Sequence, residues 1–102
     1  MARYLVSARI NADLSGLRKE LDSNSVQSLR PFGPSLDYSL RNARLAPDGK
    51  AVWEELDYCS PPLAQERRSV LDRYFSEIET TPVNEGDGWR HISRHPGLWE
   101  SV

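Results

Sequence analysis

The sequence predicts a single α+β domain, with helices packed on one face of an antiparallel sheet, and three observations carry that expectation. The chain has 102 residues, the size of one compact domain. Near its start Tyr4, Val6, Ala8 and Ile10 alternate with Arg3, Ser7 and Arg9, broken only by Leu5, the two-residue period of a half-buried strand. Two later stretches repeat their apolar residues every three or four positions, the spacing of an amphipathic helix.

The first strand is expected over residues 3–10. Asn11 and Asp13 then offer a helix cap, and Leu14, Leu17 and Leu21 form one apolar stripe with Arg18, Lys19, Glu20 and Asp22 turned outward. Ser23-Asn24-Ser25 marks its end. In Arg30-Pro31-Phe32-Gly33-Pro34 each proline biases its predecessor to extended geometry, so a loop is expected. Beyond it Leu36, Leu40 and Ala43 fit a helical turn, whereas Leu36, Tyr38 and Leu40 fit a strand equally well. The expectation is a short helical or bent stretch passing into a strand near Arg41. Pro47-Asp48-Gly49 supplies a hairpin turn between strands over residues 42–45 and 50–58.

Alternation along residues 51–59 separates Val52, Glu54, Leu56 and Tyr58, expected to meet the core, from Ala51, Trp53, Glu55, Asp57 and Cys59. Ser60-Pro61-Pro62 reads as a helix start, because proline is tolerated in a first turn whose N–H groups have no partner. Leu63, Val70, Leu71, Tyr74, Phe75 and Ile78 continue it at helical spacing until Thr80-Thr81-Pro82. A turn over residues 84–88, a last strand over 89–93 and an irregular tail from about residue 94 complete the chain. The order strand, helix, strand, strand, helix, strand suits a ferredoxin-like βαββαβ sandwich with both helices on one sheet face. Covering the other face by pairing two copies would give a homodimer of the dimeric α/β-barrel type. Three Trp, four Tyr and two Phe supply aromatic area for that interface.

Charge and cysteine content narrow the functional classes. Thirteen Lys and Arg stand against fifteen Asp and Glu, a formal charge of −2, so no net field draws the protein to phosphate backbones or anionic lipid. Neither a nucleic-acid nor a membrane partner is expected, and an RNA-binding open sheet face is disfavoured by the same balance. The single cysteine, Cys59, has no internal disulfide partner, and residues 1–4 run into strand-like sequence without the apolar run of a signal peptide. A cytoplasmic location is the expectation.

The run Trp53-Glu54-Glu55-Leu56-Asp57-Tyr58-Cys59-Ser60-Pro61-Pro62-Leu63-Ala64-Gln65-Glu66-Arg67, with Tyr4-Leu5 through Ala8-Arg9, Arg44 through Lys50 and Tyr74-Phe75, resembles a group of small uncharacterised bacterial proteins. Their tails are rich in cysteine, whereas this chain has none after Cys59. The resemblance implies no activity.

Several residues stand out for chemistry. Cys59 precedes a proline-marked helix start, where helix N–H groups favour a thiolate; the competing expectation is a small buried residue at a strand end. A catalytic dyad would need His91 or His95 beside it. Glu54 shares a face with Val52, Leu56 and Tyr58, and a carboxylate there needs a raised pKa or an arginine partner, either of which suits a general base. A bulge or sheet edge that wets it would remove that signal. Tyr58 is the candidate hydrogen-bond donor and Arg44 the candidate anion clamp. Trp53 would line the open face as a ligand wall or dimer contact, and Arg30 belongs to a loop that serves as a flap or a rigid connector. His91 and His95 are four apart, the metal spacing of a helix, but the strand-like 89–93 and Pro96-Gly97 oppose one and no third ligand is patterned. No metal and no cofactor are expected.

Two functions follow as expectations. The first is a homodimer enclosing a small-molecule pocket, acting as a binding module or a cofactor-independent enzyme, with Glu54 or His91 as base. The second is a non-catalytic interaction module anchored by exposed Trp53, Trp89 and Trp99.

Overall fold

The alternating N-terminal residues form β1 (Ala2–Ile10) in a computed structural model that describes residues 2–57 and 60–100. Val6 and Ala8 on its inner face are fully buried. Helix α1 (Ser15–Asp22) seats Leu17 and Leu21 in the core, and Asp13 Oδ1 accepts a 2.9 Å hydrogen bond from the Ser15 amide at its start. The ambiguous stretch resolves as helix α2 (Gly33–Arg41), with Leu36 and Leu40 fully buried. Pro34 presets φ in its first turn. Gly33 packs so tightly that a Cβ there would lie 2.5 Å from the Val26 carbonyl oxygen.

The hairpin forms as expected, though β2 (Arg44–Leu45) is short beside β3 (Ala51–Asp57). Its turn places Gly49 at φ 85°, and Asp48 Oδ1 accepts from the Lys50 amide at 3.0 Å. Helix α3 (Ala64–Ser69) is followed by a single 3-10 turn (Leu71–Arg73) and then β4 (Phe75–Val83). Helix α4 (Asp87–His91) and a last 3-10 turn (Leu98–Glu100) end the described chain. The domain is α+β, with one four-stranded antiparallel sheet in the order β2-β3-β1-β4.

Three expectations are corrected. The long helix expected through Ile78 stops at Ser69, and Phe75–Val83 is a strand instead. Phe75 and Ile78, three apart, have helical spacing; in the strand an extra residue bulged between the pairs Arg9↔Ser76 and Ser7↔Glu79 interrupts the two-residue period, and pairing with β1 from Ile10↔Phe75 to Arg3↔Val83 decides for the strand. Ile78, Thr80, Thr81 and Val83 are β-branched, and Pro82 is tolerated because β4 is an edge strand. The last strand expected at residues 89–93 is helix α4, entered through Gly86 at φ 85°.

The third correction concerns the faces of β3. Register sets Trp53 opposite Val6 and Ala51 opposite Ala8, so the Trp53 face meets the core; Trp53 is fully buried, its ring 5.5 Å from Phe75. A tryptophan buries about 150–250 Å², more than Val52 brings to the opposite face. Trp53 is therefore neither a ligand wall nor an exposed anchor. The Glu54 face, expected to be the core, is covered in part by α4, so it is not an open surface either.

Candidate functional site

Glu54 organises the covered face. It is 1% exposed, and its carboxylate accepts hydrogen bonds from the backbone amides of Gly88 at 2.8 Å, Gly86 at 2.9 Å and Trp89 at 3.3 Å. Arg3 Nη1 adds a contact at 3.4 Å, so of the two alternatives expected for a carboxylate on this face an arginine partner is present. The backbone carbonyl of Glu54 accepts from Ser39 Oγ at 2.8 Å, which fastens α2 beside β3. Both carboxylate oxygens are thus engaged in holding the first turn of α4. In this arrangement Glu54 is a positioning residue, and what it positions is Trp89.

Trp89 stands edge to face with Tyr38 of α2, ring centroids 6.2 Å apart. Two clefts of about 330 Å³ each share this aromatic pair. Arg3, Pro34, Ser35, Ser39 and Leu56 complete one, and Asn42, Arg44, Arg90 and Ser93 the other. Tyr38 is 61% exposed, so its ring lies open to both sides.

Arg44 is held at the second cleft by the C-terminal segment. Its Nη1 donates to the His95 carbonyl at 2.8 Å, while the Leu45 amide donates to the Pro96 carbonyl and the Leu98 amide to the Ala43 carbonyl. Among the described residues no carboxylate lies within 4.0 Å of its guanidinium. Arg41, three positions earlier, differs sharply: it pairs with Asp37 at 2.8 Å and Asp22 at 3.6 Å and donates to the Leu21 carbonyl. Arg90 is likewise answered, by Asp87. Arg44 thus faces a cleft walled by aromatic rings without an ion pair among the described residues, and an acid, Glu100, lines a separate cleft with it.

The other sequence candidates fall elsewhere. His91 is exposed at the end of α4, and His95 lies beyond that helix and contributes its carbonyl to Arg44. Among the described residues no three His, Cys, Asp or Glu side chains gather as a metal site. Arg30 is exposed and closes on its own turn, donating to the carbonyls of Gln27 at 2.8 Å and Leu29 at 3.1 Å. Tyr58 and Cys59 lie outside the described residues. Trp89 and Trp99 are half-buried, and Trp99 Nε1 donates to the Leu40 carbonyl at 2.8 Å.

A second group was hidden from sequence reasoning because β3 was read with its faces reversed. Glu55, Asp57 and Glu66 are all buried on the core side. The Glu55 carboxyl is held well above the usual carboxylate range, first by burial and then by the nearby Glu66 charge. The Ser39 and Trp53 side chains oppose the shift and Asp57 adds to it. No hydrogen bond closes on either Glu55 oxygen, since the Ser39 hydroxyl is committed to the Glu54 carbonyl. The arrangement favours the protonated form of Glu55 over the anion.

Comparison of the chain with protein-family models, with curated proteins and with solved structures gave no match. Among the described residues no helix is long and apolar enough to cross a membrane.

Proposed function

We propose that this protein is a small-molecule-binding module on a ferredoxin-like framework, and that its ligand sits against the Tyr38–Trp89 pair. One observation carries the reading: Glu54, buried, uses its carboxylate to fix the backbone beside Trp89, so the aromatic wall is built before any ligand arrives. Prebuilt walls lower the ordering cost of binding, and clefts of about 330 Å³ lie within the range of small-ligand sites. The strand order β2-β3-β1-β4, antiparallel throughout, supports the ferredoxin-like framework. Homodimerisation belongs to the same proposal: half-buried Leu5, with Leu56 at the edge of the first cleft, offers a second copy apolar surface on the part of the Glu54 face that α4 does not cover.

Native mass spectrometry under gentle and then denaturing conditions tests both parts at once. The expected result is a dimer carrying a defined extra mass that is lost on denaturation. Bare protein would overturn the ligand reading, and a monomer would overturn the dimer. The strongly exposed Tyr38 favours one other reading, an aromatic anchor for a protein partner, which a flat surface rather than clefts beside it would suit better.

A further inference from the structure

We infer that the Arg44 side of this site recognises the carboxylate of a small aromatic acid; the inference rests on the ligand-binding reading above and names the class of ligand. Arginine is permanently charged and meets a carboxylate through two parallel N–H groups. In this fold most buried or half-buried guanidinium groups are already answered by acids, Arg41 by Asp37 and Asp22 and Arg3 by Glu54 and Glu85. Arg44 is not. Among the described residues its side chain makes one hydrogen bond, to a neutral carbonyl, which anchors one nitrogen and leaves the other donors of the guanidinium for a ligand.

The charge balance of the cleft selects a monoanion. Arg90 lines the same cleft but is offset by Asp87, so one positive charge remains, enough for a carboxylate and short of what a phosphate dianion needs. Trp89 and Tyr38 supply the apolar walls for a ring. Asn42 and Ser93 sit at the rim, each with one hydrogen bond already made: the Asn42 amide donates to the Tyr38 carbonyl at 2.8 Å and the Ser93 hydroxyl to the Arg90 carbonyl at 3.0 Å. The second Asn42 amide hydrogen and the lone pairs of Ser93 are left to meet a polar ring substituent.

The experiment titrates the full chain with 4-hydroxybenzoate, its neutral counterpart 4-hydroxybenzamide, and phenyl phosphate, followed by nitrogen-15 NMR. The benzoate is expected to shift the Trp89 indole and the amides of residues 42–44 and 90–93 saturably, and to bind about tenfold or more tighter than the amide. Arg44→Gln is expected to abolish that preference, and Arg44→Lys to restore part of it. Equal binding of acid and amide, or an unchanged preference in Arg44→Gln, would overturn the anion inference while leaving the cleft as a ligand site. Preference for phenyl phosphate would overturn the carboxylate. Absence of any response at Trp89 would overturn the inference, and a retained mass in the native spectrum would then show that the cleft reading survives it. Should Arg44→Gln misfold, the acid-to-amide ratio in the unmodified protein and in Arg44→Lys decides alone.

Discussion

Glu54 and Glu55 are neighbours on β3, both buried, and they solve the burial of a carboxyl group in opposite ways. Glu54 faces α4 and meets three backbone amides and Arg3, so its charge is matched by donors. Glu55 faces the core, meets Glu66 and Asp57, and closes no hydrogen bond. Burial alone therefore says little about a carboxyl group; the donors that reach it decide whether it is an anion tying structure together or a neutral acid carried at a cost.

The largest effect should come from breaking the satisfied side. Glu54→Ala leaves the amides of Gly86, Gly88 and Trp89 and the Arg3 charge without their common acceptor, and is expected to cost about 3–5 kcal/mol in urea unfolding. A loss under about 1 kcal/mol would show that the network contributes little, and the contrast with Glu55 would collapse.

Next is Gly88→Ala, which probes the same contact from the helix. A Cβ there would lie 2.9 Å from Glu54 Oε1 and 3.1 Å from its Cβ, so either the carboxylate or α4 must move. The expected loss is about 1–3 kcal/mol, together with a changed environment at Trp89 measured by fluorescence. Unchanged stability and spectrum would mean that α4 rides loosely on the sheet.

The smallest effect, and the sharpest on the comparison, is the pH dependence from Glu55. Its folded pKa is raised, so between the usual value of 4.5 and that raised value the folded state binds the proton that the unfolded state has released. Stability therefore falls as pH rises through this window, by at most about 1.4 kcal/mol per pH unit for one proton. Glu55→Gln carries no titrating group and should remove this slope, gaining on the parent protein most at the alkaline end. Parallel stability curves for the two proteins across pH 5–8, followed by urea unfolding, would show that Glu55 is not held neutral by the fold.

Legibility in the sequence followed the range of the interactions involved. β1, α1 and the hairpin turn were readable because alternation, a leucine stripe and Pro47-Asp48-Gly49 act within a few residues. The strand at 75–83 reads as helix because Phe75 and Ile78 stand at helical spacing and a bulge breaks the two-residue period, so only pairing with β1 reveals it. Arg44 is legible as a candidate anion clamp, and the structure sets it in a cleft where no described carboxylate lies within 4.0 Å of it. Tyr38 and Glu66 carry no sequence signal as site residues, and Glu55, expected on the open face beside Trp53, is buried with it. The signal for Glu55 was present in its position two residues from Trp53 on one strand face, since whichever way the tryptophan turns, the glutamate follows.

By itself, then, the sequence determined the class of the domain, its antiparallel character and most of its local turns, since these depend on periodicity and on the backbone preferences of single residues. Tertiary structure alone decided which face of β3 is the core, which segment becomes the fourth strand, and which charged side chains find partners. Those outcomes depend on register between strands distant in the chain, where shifting one residue exchanges inside for outside and so exchanges a paired glutamate for a solitary one.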